Sequence, residues 1–199
     1  MSRPFVLGLT GSIGMGKSTT AGFFREAGVP VWDADAAVHR AYAPGGAAVA
    51  PMAALCPAAV GAEGVNRAAL KDWIARDPGA LARIETLVHP IVAADRRAFL
   101  AEQAGADLVV LDIPLLFEGG SAAAVDAVLV VTAAPEVQRA RVLARPGMTP
   151  AMLETILAKQ MPDAEKRARA DHVIETNGMD ETRAAVRALI ARIRESRHA

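Results

Sequence analysis

The most informative stretch of the sequence lies near its start, at residues 11–18, which read Gly11-Ser12-Ile13-Gly14-Met15-Gly16-Lys17-Ser18. This stretch fits the pattern G-x-x-x-x-G-K-[ST] at every fixed position. It follows a short apolar run at residues 5–10 and precedes residues 18–27, which have the features of a helix that stops at Gly28. A buried strand, a glycine-rich turn and a helix, in that order, predict a loop that wraps a chain of phosphates.

Each part of this loop has a chemical task. The glycines let backbone N–H groups point at the phosphates, and the following helix directs the positive end of its dipole to the same place. We expect Lys17 to reach the β- and γ-phosphates of a nucleotide, and the Ser18 hydroxyl to ligate Mg²⁺. The alternative is a glycine-rich turn that fits the pattern by chance, and the strand and helix on its flanks argue against that.

Four more apolar runs predict further strands. They are residues 29–32, 108–111, 127–131 and 172–174. These runs show no alternation of apolar and polar residues and are separated by helical stretches, as is typical of strands covered on both faces. The sequence therefore predicts an α/β fold with a five-stranded parallel sheet flanked by helices.

Composition limits the class of protein. The chain has 199 residues, of which 52% are hydrophobic and 22% charged, which favours one folded domain with an insertion. Lys+Arg and Asp+Glu both number 22, which argues against nucleic-acid binding through bulk positive charge but leaves room for a local basic cleft. The single cysteine, Cys56, excludes an internal disulfide. Without an apolar run long enough for a membrane span, and without a signal-peptide pattern, we expect a cytoplasmic protein.

The spacing of the predicted strands indicates a core with two insertions within one domain, residues 1–199. The core comprises residues 1–36, 106–138 and 170–199. Residues 37–105 are predicted to form an all-helical, substrate-binding insertion, with helices at 67–74, 78–88 and 90–104. Residues 139–169 are arginine-rich and are predicted to form a lid, in which Thr149 caps a helix that begins at Pro150.

Carboxylates follow two of the predicted strands. Asp33 and Asp35 come directly after residues 29–32, where ligands of open α/β sheets bind. A hydroxyl that accepts a phosphoryl group needs a base or an orienting acceptor, and a carboxylate fills that role in other phosphotransferases. The alternative is that this pair caps the helix that begins near Ala36; one aspartate can cap while the other acts in the reaction.

The second of these two strands, residues 108–111, is followed directly by Asp112. It resembles the aspartate of a Walker B strand, which holds a water on Mg²⁺. An apolar stretch, residues 113–117, then follows the sheet edge and ends at Glu118. This stretch either packs on an aromatic ring of a ligand or covers the core, and the residues alone favour neither.

Two arginines four positions apart, Arg141 and Arg145, are expected to share one helix face. Arriving after the fourth strand, they can move over the transferring phosphoryl group and neutralise its charge. A solvated surface face is the alternative. No N-K-x-D motif for guanine is present, since neither Asn66 nor Asn177 precedes a lysine. A short chain with a helical insertion and a late arginine-rich segment indicates a kinase of a small molecule.

Taken together, these motifs resemble the dephospho-CoA kinase family over nearly the whole chain. The family's opening L-T-G-x-I-G-x-G-K-S-T stands at residues 9–19, its D-x-D at Asp33-Ala34-Asp35, and its H-P at His89-Pro90. Its D-x-P-L-L-F-E stands in full, as Asp112-Ile113-Pro114-Leu115-Leu116-Phe117-Glu118. The late Q-M and A-D-x-V-I stand at residues 160–161 and 170–174. The phosphate loop alone is shared by many kinases, whereas the P-L-L-F-E together with the D-x-D and H-P is specific to this family.

The resemblance implies a P-loop fold of the nucleoside-monophosphate-kinase type, which uses ATP and Mg²⁺ to phosphorylate the ribose 3′-hydroxyl of dephospho-CoA. It implies a monomer or small homo-oligomer that acts on this small molecule and not on nucleic acid or a membrane. The implied catalytic residues are Asp35 as base or orienting acceptor, Asp33 beside it, Lys17 and Arg141. The implied ATP-binding residues are Gly11, Ser12, Ile13, Gly14, Met15, Gly16, Lys17, Ser18, Thr19, Arg145 and Asn177. The implied metal ligands are Ser18 and Asp112.

The residues that would face the CoA precursor are Thr10, Asp33, Asp35, Arg67, His89, Pro114, Leu115, Leu116, Phe117 and Glu118. The chain departs from the family pattern at the lid, where Pro146 replaces the usual aspartate after Arg145. It departs again at Thr176, where the family has an asparagine; Asn177 is the residue able to substitute for it. Other readings are a different small-molecule kinase of the same fold and a nucleotide-binding regulator without catalysis.

Overall fold

The computed structural model describes residues 3–198 and contains seven strands and nine α-helices in that range. The strands are β1 (Phe5–Thr10), β2 (Val31–Asp33), β3 (Val60–Gly61), β4 (Gly64–Val65), β5 (Leu108–Asp112), β6 (Ala127–Thr132) and β7 (His172–Glu175). The helices are α1 (Lys17–Glu26), α2 (Ala34–Tyr42), α3 (Val49–Leu55), α4 (Arg67–Arg76), α5 (Ala80–Glu102), α6 (Pro135–Leu143), α7 (Pro150–Lys159), α8 (Asp163–Ala168) and α9 (Met179–His198).

Five strands form one sheet in the order β2-β5-β1-β6-β7. The central strand β1 pairs in parallel with β5 on one side, where Leu9 lies opposite Asp112, and with β6 on the other. Strands β5 and β6 are buried along their whole length, as their unbroken apolar runs require. The predicted five-stranded parallel sheet is therefore confirmed, with each strand within two residues of its expected position.

The chain divides into two compact units. The first consists of Met1–Trp32 and Gln103–Ala199, and the second of Asp33–Glu102. In the first unit, one apolar core includes Phe24 of α1 and Leu189 of α9, and these helices pack on each other. The predicted apolar face of the C-terminal helix is confirmed, because Val186, Leu189, Ile190 and Ile193 are all buried.

The second unit has its own apolar core, which includes Tyr42, Met52 and Ile84. Two expectations for this unit are wrong. It is not all helical, because β3 and β4 form a short antiparallel hairpin, in which Gly64, the first residue of β4, has a positive φ. The predicted break before Pro90 is also absent, since α5 runs from Ala80 to Glu102 with Pro90 inside it. A proline removes one backbone hydrogen bond, and in a helix of 23 residues the packed turns on either side tolerate that loss.

The predicted start of a helix at Pro150 is confirmed. Thr149 is the N-cap of α7, and its side chain accepts a hydrogen bond from Met152 N at 3.2 Å. Among residues 3–198, no helix is long and apolar enough to cross a membrane.

Candidate active site

The phosphate loop owes its shape to two glycines. Gly14 and Gly16 have φ values of 78° and 83°, a region that favours glycine. A Cβ on Gly14 would lie 2.5 Å from a methyl group of Val142, and one on Gly16 would lie 2.8 Å from Thr176 Oγ1. Gly16 is also the N-cap of α1, and within the described chain no side chain caps this helix. The first N–H groups of α1 are therefore left for an anionic ligand.

Two contacts hold the middle of the loop at Met15. Its carbonyl oxygen accepts a hydrogen bond from Thr176 Oγ1 at 2.9 Å, and its sulfur accepts one from Ala133 N at 3.0 Å. Met15 and Thr176 are both buried. Two residues that directly follow strands, Ala133 after β6 and Thr176 after β7, thus hold the loop at Met15.

Lys17 and Asp112 form the most buried ion pair that involves the loop. Lys17 Nζ lies 2.5 Å from Asp112 Oδ1, and the two side chains are 16% and 2% exposed. Asp112 is the last residue of β5 and Lys17 the first of α1, so the strand and helix bring these charges together. Asp112 therefore holds the Lys17 ammonium group in place at the start of α1.

The residues present are suited to a magnesium ion. Ser18 and Thr19 are exposed in the first turn of α1, and Asp112 is a carboxylate close to Lys17. These are hard oxygen donors, and Mg²⁺ in phosphoryl-transfer sites uses one or two protein oxygens together with waters and phosphates. Across residues 3–198, no cluster of three or more His, Cys, Asp or Glu forms a metal cage of its own.

Arg141 is held beside the loop by Thr176. Its Nη1 donates a hydrogen bond to Thr176 Oγ1 at 3.0 Å, and its Nη2 donates to the Thr176 carbonyl oxygen. Arg145, in contrast, is exposed and lies beyond the end of α6 at Leu143. The expectation that both arginines share one helix face is therefore wrong, because the helix ends before the turn at residues 145–148.

Thr176, at which the chain departs from the family pattern, has a structural role in this protein. The Thr176 side chain is buried and hydrogen-bonded to both Met15 and Arg141, so it stabilises the phosphate loop from its buried side. Asn177, the next residue, is exposed, and its Oδ1 accepts a hydrogen bond from Ala134 N at 3.2 Å. The structure thus ties Asn177 to the start of α6.

The segment 114–118 has two kinds of residue. Leu116 is fully buried with Val128 and Val130, whereas Leu115 is 48% exposed. The Thr10 hydroxyl, also fully buried, donates a hydrogen bond to the Pro114 carbonyl oxygen at 3.0 Å. Of the residues predicted to face the substrate, Thr10 and Leu116 therefore support the segment from inside, and Leu115 is open to solvent. The core-covering alternative is thus confirmed for Leu116.

Glu118 ends this segment in an ion pair. Its Oε1 lies 2.8 Å from Nζ of Lys166, whose side chain is 0% exposed, and it accepts a hydrogen bond from Met161 N at 2.9 Å. Burial tends to raise the pKa of the Glu118 carboxyl, but the Lys166 ammonium and the Met161 N–H outweigh burial and hold the pKa below its ordinary value. Glu118 is therefore anionic at neutral pH and links its segment to α8.

In the second unit, the two aspartates have different positions. Asp33 is the N-cap of α2, and its carboxylate accepts a hydrogen bond from Ala36 N at 3.0 Å. Asp35 lies in the first turn of α2 and is exposed. The capping alternative is thus confirmed for Asp33, which leaves Asp35 as the carboxylate open to a ligand.

Arg67 and His89 also lie in the second unit. Arg67 is the first residue of α4, and its guanidinium carbon lies 5.6 Å from the centre of the Tyr42 ring. Burial raises the pKa of the Tyr42 phenol, and the nearby Arg67 charge partly opposes that rise. His89 is exposed in the middle of α5. Both predicted substrate residues are thus accessible on helices of this unit.

Sequence reasoning assigned no role to three side chains of the first unit, although Gln160 was noted as part of the Q-M motif. Gln138 and Gln160 bind the backbone of Ile13 in the phosphate loop, and Lys166 neutralises Glu118. One sequence signal was available for Lys166: the cations are mostly arginine, and Lys17 and Lys166 are two of only four lysines. Gln138 had no such signal, because a single glutamine on a helix has no characteristic spacing.

Fold and site together define a P-loop kinase. The glycine-rich loop ends β1, the paired carboxylate Asp112 ends the neighbouring strand β5, and α1 begins with no side-chain cap among the described residues. The family model for dephospho-CoA kinase matches residues 5–181. The chain belongs to this family, and the resemblance seen in its motifs is confirmed.

Relatives agree with this assignment. A dephospho-CoA kinase from Cereibacter sphaeroides is 70% identical over 194 residues, covering 98% of both chains. One from Jannaschia sp. is 58% identical and covers 96% of this chain and 98% of its own. A crystal structure from Thermus thermophilus has a TM-score of 0.82 at 38% identity and covers 96% of this chain and 98% of its own. Dephospho-CoA kinase from Campylobacter jejuni, at 19% identity and a TM-score of 0.67, covers 94% and 96% and shares the fold.

Proposed function

We propose that this chain transfers the γ-phosphoryl group of ATP to the ribose 3′-hydroxyl of dephospho-CoA, giving coenzyme A and ADP. The observation that carries the proposal is the pairing of Lys17 with Asp112 directly before the family-specific segment 114–118. The phosphate-binding end of the site and the segment assigned to the substrate are thus adjacent in the chain. This reaction is the final step of coenzyme A synthesis.

The phosphate loop binds and orients ATP in this proposal. Backbone N–H groups at the start of α1 surround the phosphates, and Lys17 contacts the β- and γ-phosphates. Ser18 and Asp112 are the residues that would hold Mg²⁺, with waters completing its shell. The ion, when bound, neutralises phosphate charge. Arg141, fixed by Thr176, adds a positive charge near the loop, and Arg145 supplies one from the lid.

Proton transfer is assigned to Asp35. The 3′-oxygen forms a bond to the γ-phosphorus as the bond from that phosphorus to the β,γ-bridging oxygen breaks. The hydroxyl proton passes to the Asp35 carboxylate, and ADP leaves with the bridging oxygen. Asp33 supports this arrangement by capping α2, so that its own carboxylate oxygen is already engaged.

We assign some of the contacts with the substrate to residues of the second unit and others to residues of the first unit. Arg67 and His89 present positive or hydrogen-bonding groups on α4 and α5, suited to the phosphates of the CoA precursor. Pro114, Leu115 and Phe117 present apolar surface near the phosphate loop.

The same proposal gives each region of the chain a task. Residues 37–105 bind the CoA precursor, and residues 139–169 close over ATP as a lid. The protein acts in the cytoplasm, as a monomer or a small homo-oligomer.

Release of ADP tests the proposal. Purified protein with Mg²⁺-ATP should release ADP when dephospho-CoA is added, and should not do so with AMP or CMP. A nucleoside-monophosphate kinase of this fold would instead turn over one of those nucleotides. Equal turnover of AMP and dephospho-CoA would contradict the proposal.

The Asp35→Asn variant tests the proton acceptor. The amide keeps the shape of the side chain but takes up a proton far less readily, so turnover should fall by about 10²–10⁴-fold. ATP affinity, measured by calorimetry, should stay near that of the wild type. The matched control is Asp72→Asn, which changes an exposed aspartate of α4 and should leave turnover unchanged. Near-normal turnover of Asp35→Asn would assign the role to another group.

A further inference from the structure

One residue of the phosphate loop, Ile13, has both of its backbone polar groups held by glutamine side chains, one in the peptide before its Cα and one in the peptide after it. Gln138 Nε2 donates a hydrogen bond to the Ile13 carbonyl oxygen at 2.8 Å. Ile13 N donates a hydrogen bond to Gln160 Oε1 at 3.1 Å. Gln138 is buried and Gln160 is half-buried. The orientation of Ile13 is therefore fixed from both sides by neutral groups.

The two glutamines stand at the two ends of one segment. Gln138 lies within α6, and Gln160 is the C-cap that follows α7. Residues 139–159 between them carry Arg141 and Arg145. Both ends of this segment are thus attached to the same residue of the phosphate loop, Ile13.

Close packing strengthens the attachment at the first end. A Cβ on Gly14 would lie 3.1 Å from the Gln138 carbonyl oxygen and 3.3 Å from Gln138 Cγ. Helix α6 therefore contacts the loop at Gly14, the residue that follows Ile13. Because packed interiors transmit small shifts rather than absorb them, a movement of the loop is passed to α6.

We infer that Gln138 and Gln160 are positioning residues that set the orientation of the two peptides that flank Ile13 and couple ATP binding to the segment 139–159. The inference rests on the proposed function in one respect, that the loop binds the phosphates of ATP. A phosphate loop works only when its N–H groups face the ligand. Because the Ile13 carbonyl oxygen and the Gly14 N–H point in opposite directions from one peptide, rotation of that peptide would turn the Gly14 N–H away and place a carbonyl oxygen there instead. Neutral side chains fix the peptide without repelling the phosphates.

The charge of the side chain gives the inference a specific test at Gln160. Gln160→Met removes the acceptor with little change in length, and Gln160→Glu keeps an acceptor but adds a negative charge beside the loop. Gln160→Met should raise the Kd for ATP about three- to tenfold, the loss expected for one hydrogen bond. Gln160→Glu should raise it further, and its added effect should shrink at high salt because the repulsion is screened.

Two controls separate this role from a general loss of structure. Gln103→Met makes the same chemical change in the same unit, after α5, and should leave the Kd for ATP unchanged. The KM for dephospho-CoA should move less than twofold in the Gln160 variants. Combining Gln138→Met with Gln160→Met should give less than the product of the two single effects, since both act on the backbone of one residue.

Calorimetric titration with a non-hydrolysable ATP analogue provides the measurement, so that it is independent of turnover. If Gln160→Met binds the analogue as tightly as the wild type, or loses affinity for both substrates equally, the inference is wrong. A wild-type protein that binds the analogue but does not release ADP with dephospho-CoA would contradict the proposed function and leave the inference standing. If Gln138→Met does not fold, the Gln160 variants alone decide the matter.

Discussion

Removing the charge of Glu118 tests how the family-specific segment is attached to the core. Its partner Lys166 has a side chain that is 0% exposed, and the two charged atoms are 2.8 Å apart. In Glu118→Gln the amide has nearly the same volume and can still accept the hydrogen bond from Met161 N. The change therefore isolates the charge that neutralises Lys166.

The expected cost follows from this burial. Removing one partner of a buried ion pair costs about 3–5 kcal/mol, because the remaining charge is left without compensation. Glu118 itself is 20% exposed, so some water already reaches the pair. The amide oxygen also stays close to the ammonium group. We therefore expect Glu118→Gln to lower the free energy of unfolding by about 2–3 kcal/mol at pH 7.

Urea unfolding followed by circular dichroism measures this free energy. The matched control is Glu165→Gln in α8, which removes the charge from an exposed ion pair with Arg169. An exposed pair contributes about 0–1 kcal/mol, so this variant should unfold almost as the wild type does. Equal stabilities of Glu118→Gln and Glu165→Gln would refute the reasoning.

The dependence on pH gives a second check of the same pair. The pKa of Glu118 in the folded protein is below its ordinary value of 4.5, so the carboxylate stabilises the fold above that pH. This contribution is lost as the pH falls below 4.5 and through the lower folded value, because the wild-type carboxyl then becomes neutral as well. The difference between wild type and Glu118→Gln should therefore be constant near pH 7 and shrink in acid. A difference that grows in acid would contradict the assigned direction.

Two further predictions concern side chains that the structure places in unexpected roles. Leu116→Ala should lower the free energy of unfolding by about 2–5 kcal/mol, because Leu116 is fully buried. The control Leu115→Ala should cost little in stability, and equal effects on urea unfolding would contradict their placement. Thr176→Val should cost about 1–3 kcal/mol and raise the KM for ATP, since it leaves the Met15 carbonyl oxygen and Arg141 without the hydroxyl. Thr176→Ser keeps the hydroxyl and should restore most of the ATP affinity; a serine variant as weak as the valine variant would exclude that role.

The sheet was predictable from the sequence because its strands are short apolar runs, and two of them, β5 and β6, are buried along their whole length. Runs such as residues 108–111 have no polar residue to confuse the pattern, and each is followed by a turn or a carboxylate. The phosphate loop was predictable for a different reason, since positive φ at Gly14 and Gly16 demands glycine at fixed spacing. Both signals are local in the chain.

The features that were missed depend on partners far away in the sequence. Gln138 binds Ile13, and Lys166 binds Glu118, across separations that no local pattern records. The unbroken helix α5 was missed because a proline is a strong stop signal, yet packing overrides it at Pro90. The hairpin β3-β4 was missed because strands of two residues have no periodicity to detect.

The position of the new phosphate in the reaction product tests the central claim most directly. Phosphorus NMR of the product, after incubation with Mg²⁺-ATP and dephospho-CoA, should show one new phosphomonoester signal, coupled to the ribose 3′-proton, with one equivalent of ADP. That result would establish the chain as a kinase of the dephospho-CoA 3′-hydroxyl. Free phosphate as the only new signal, or a phosphate on another oxygen, would contradict the account.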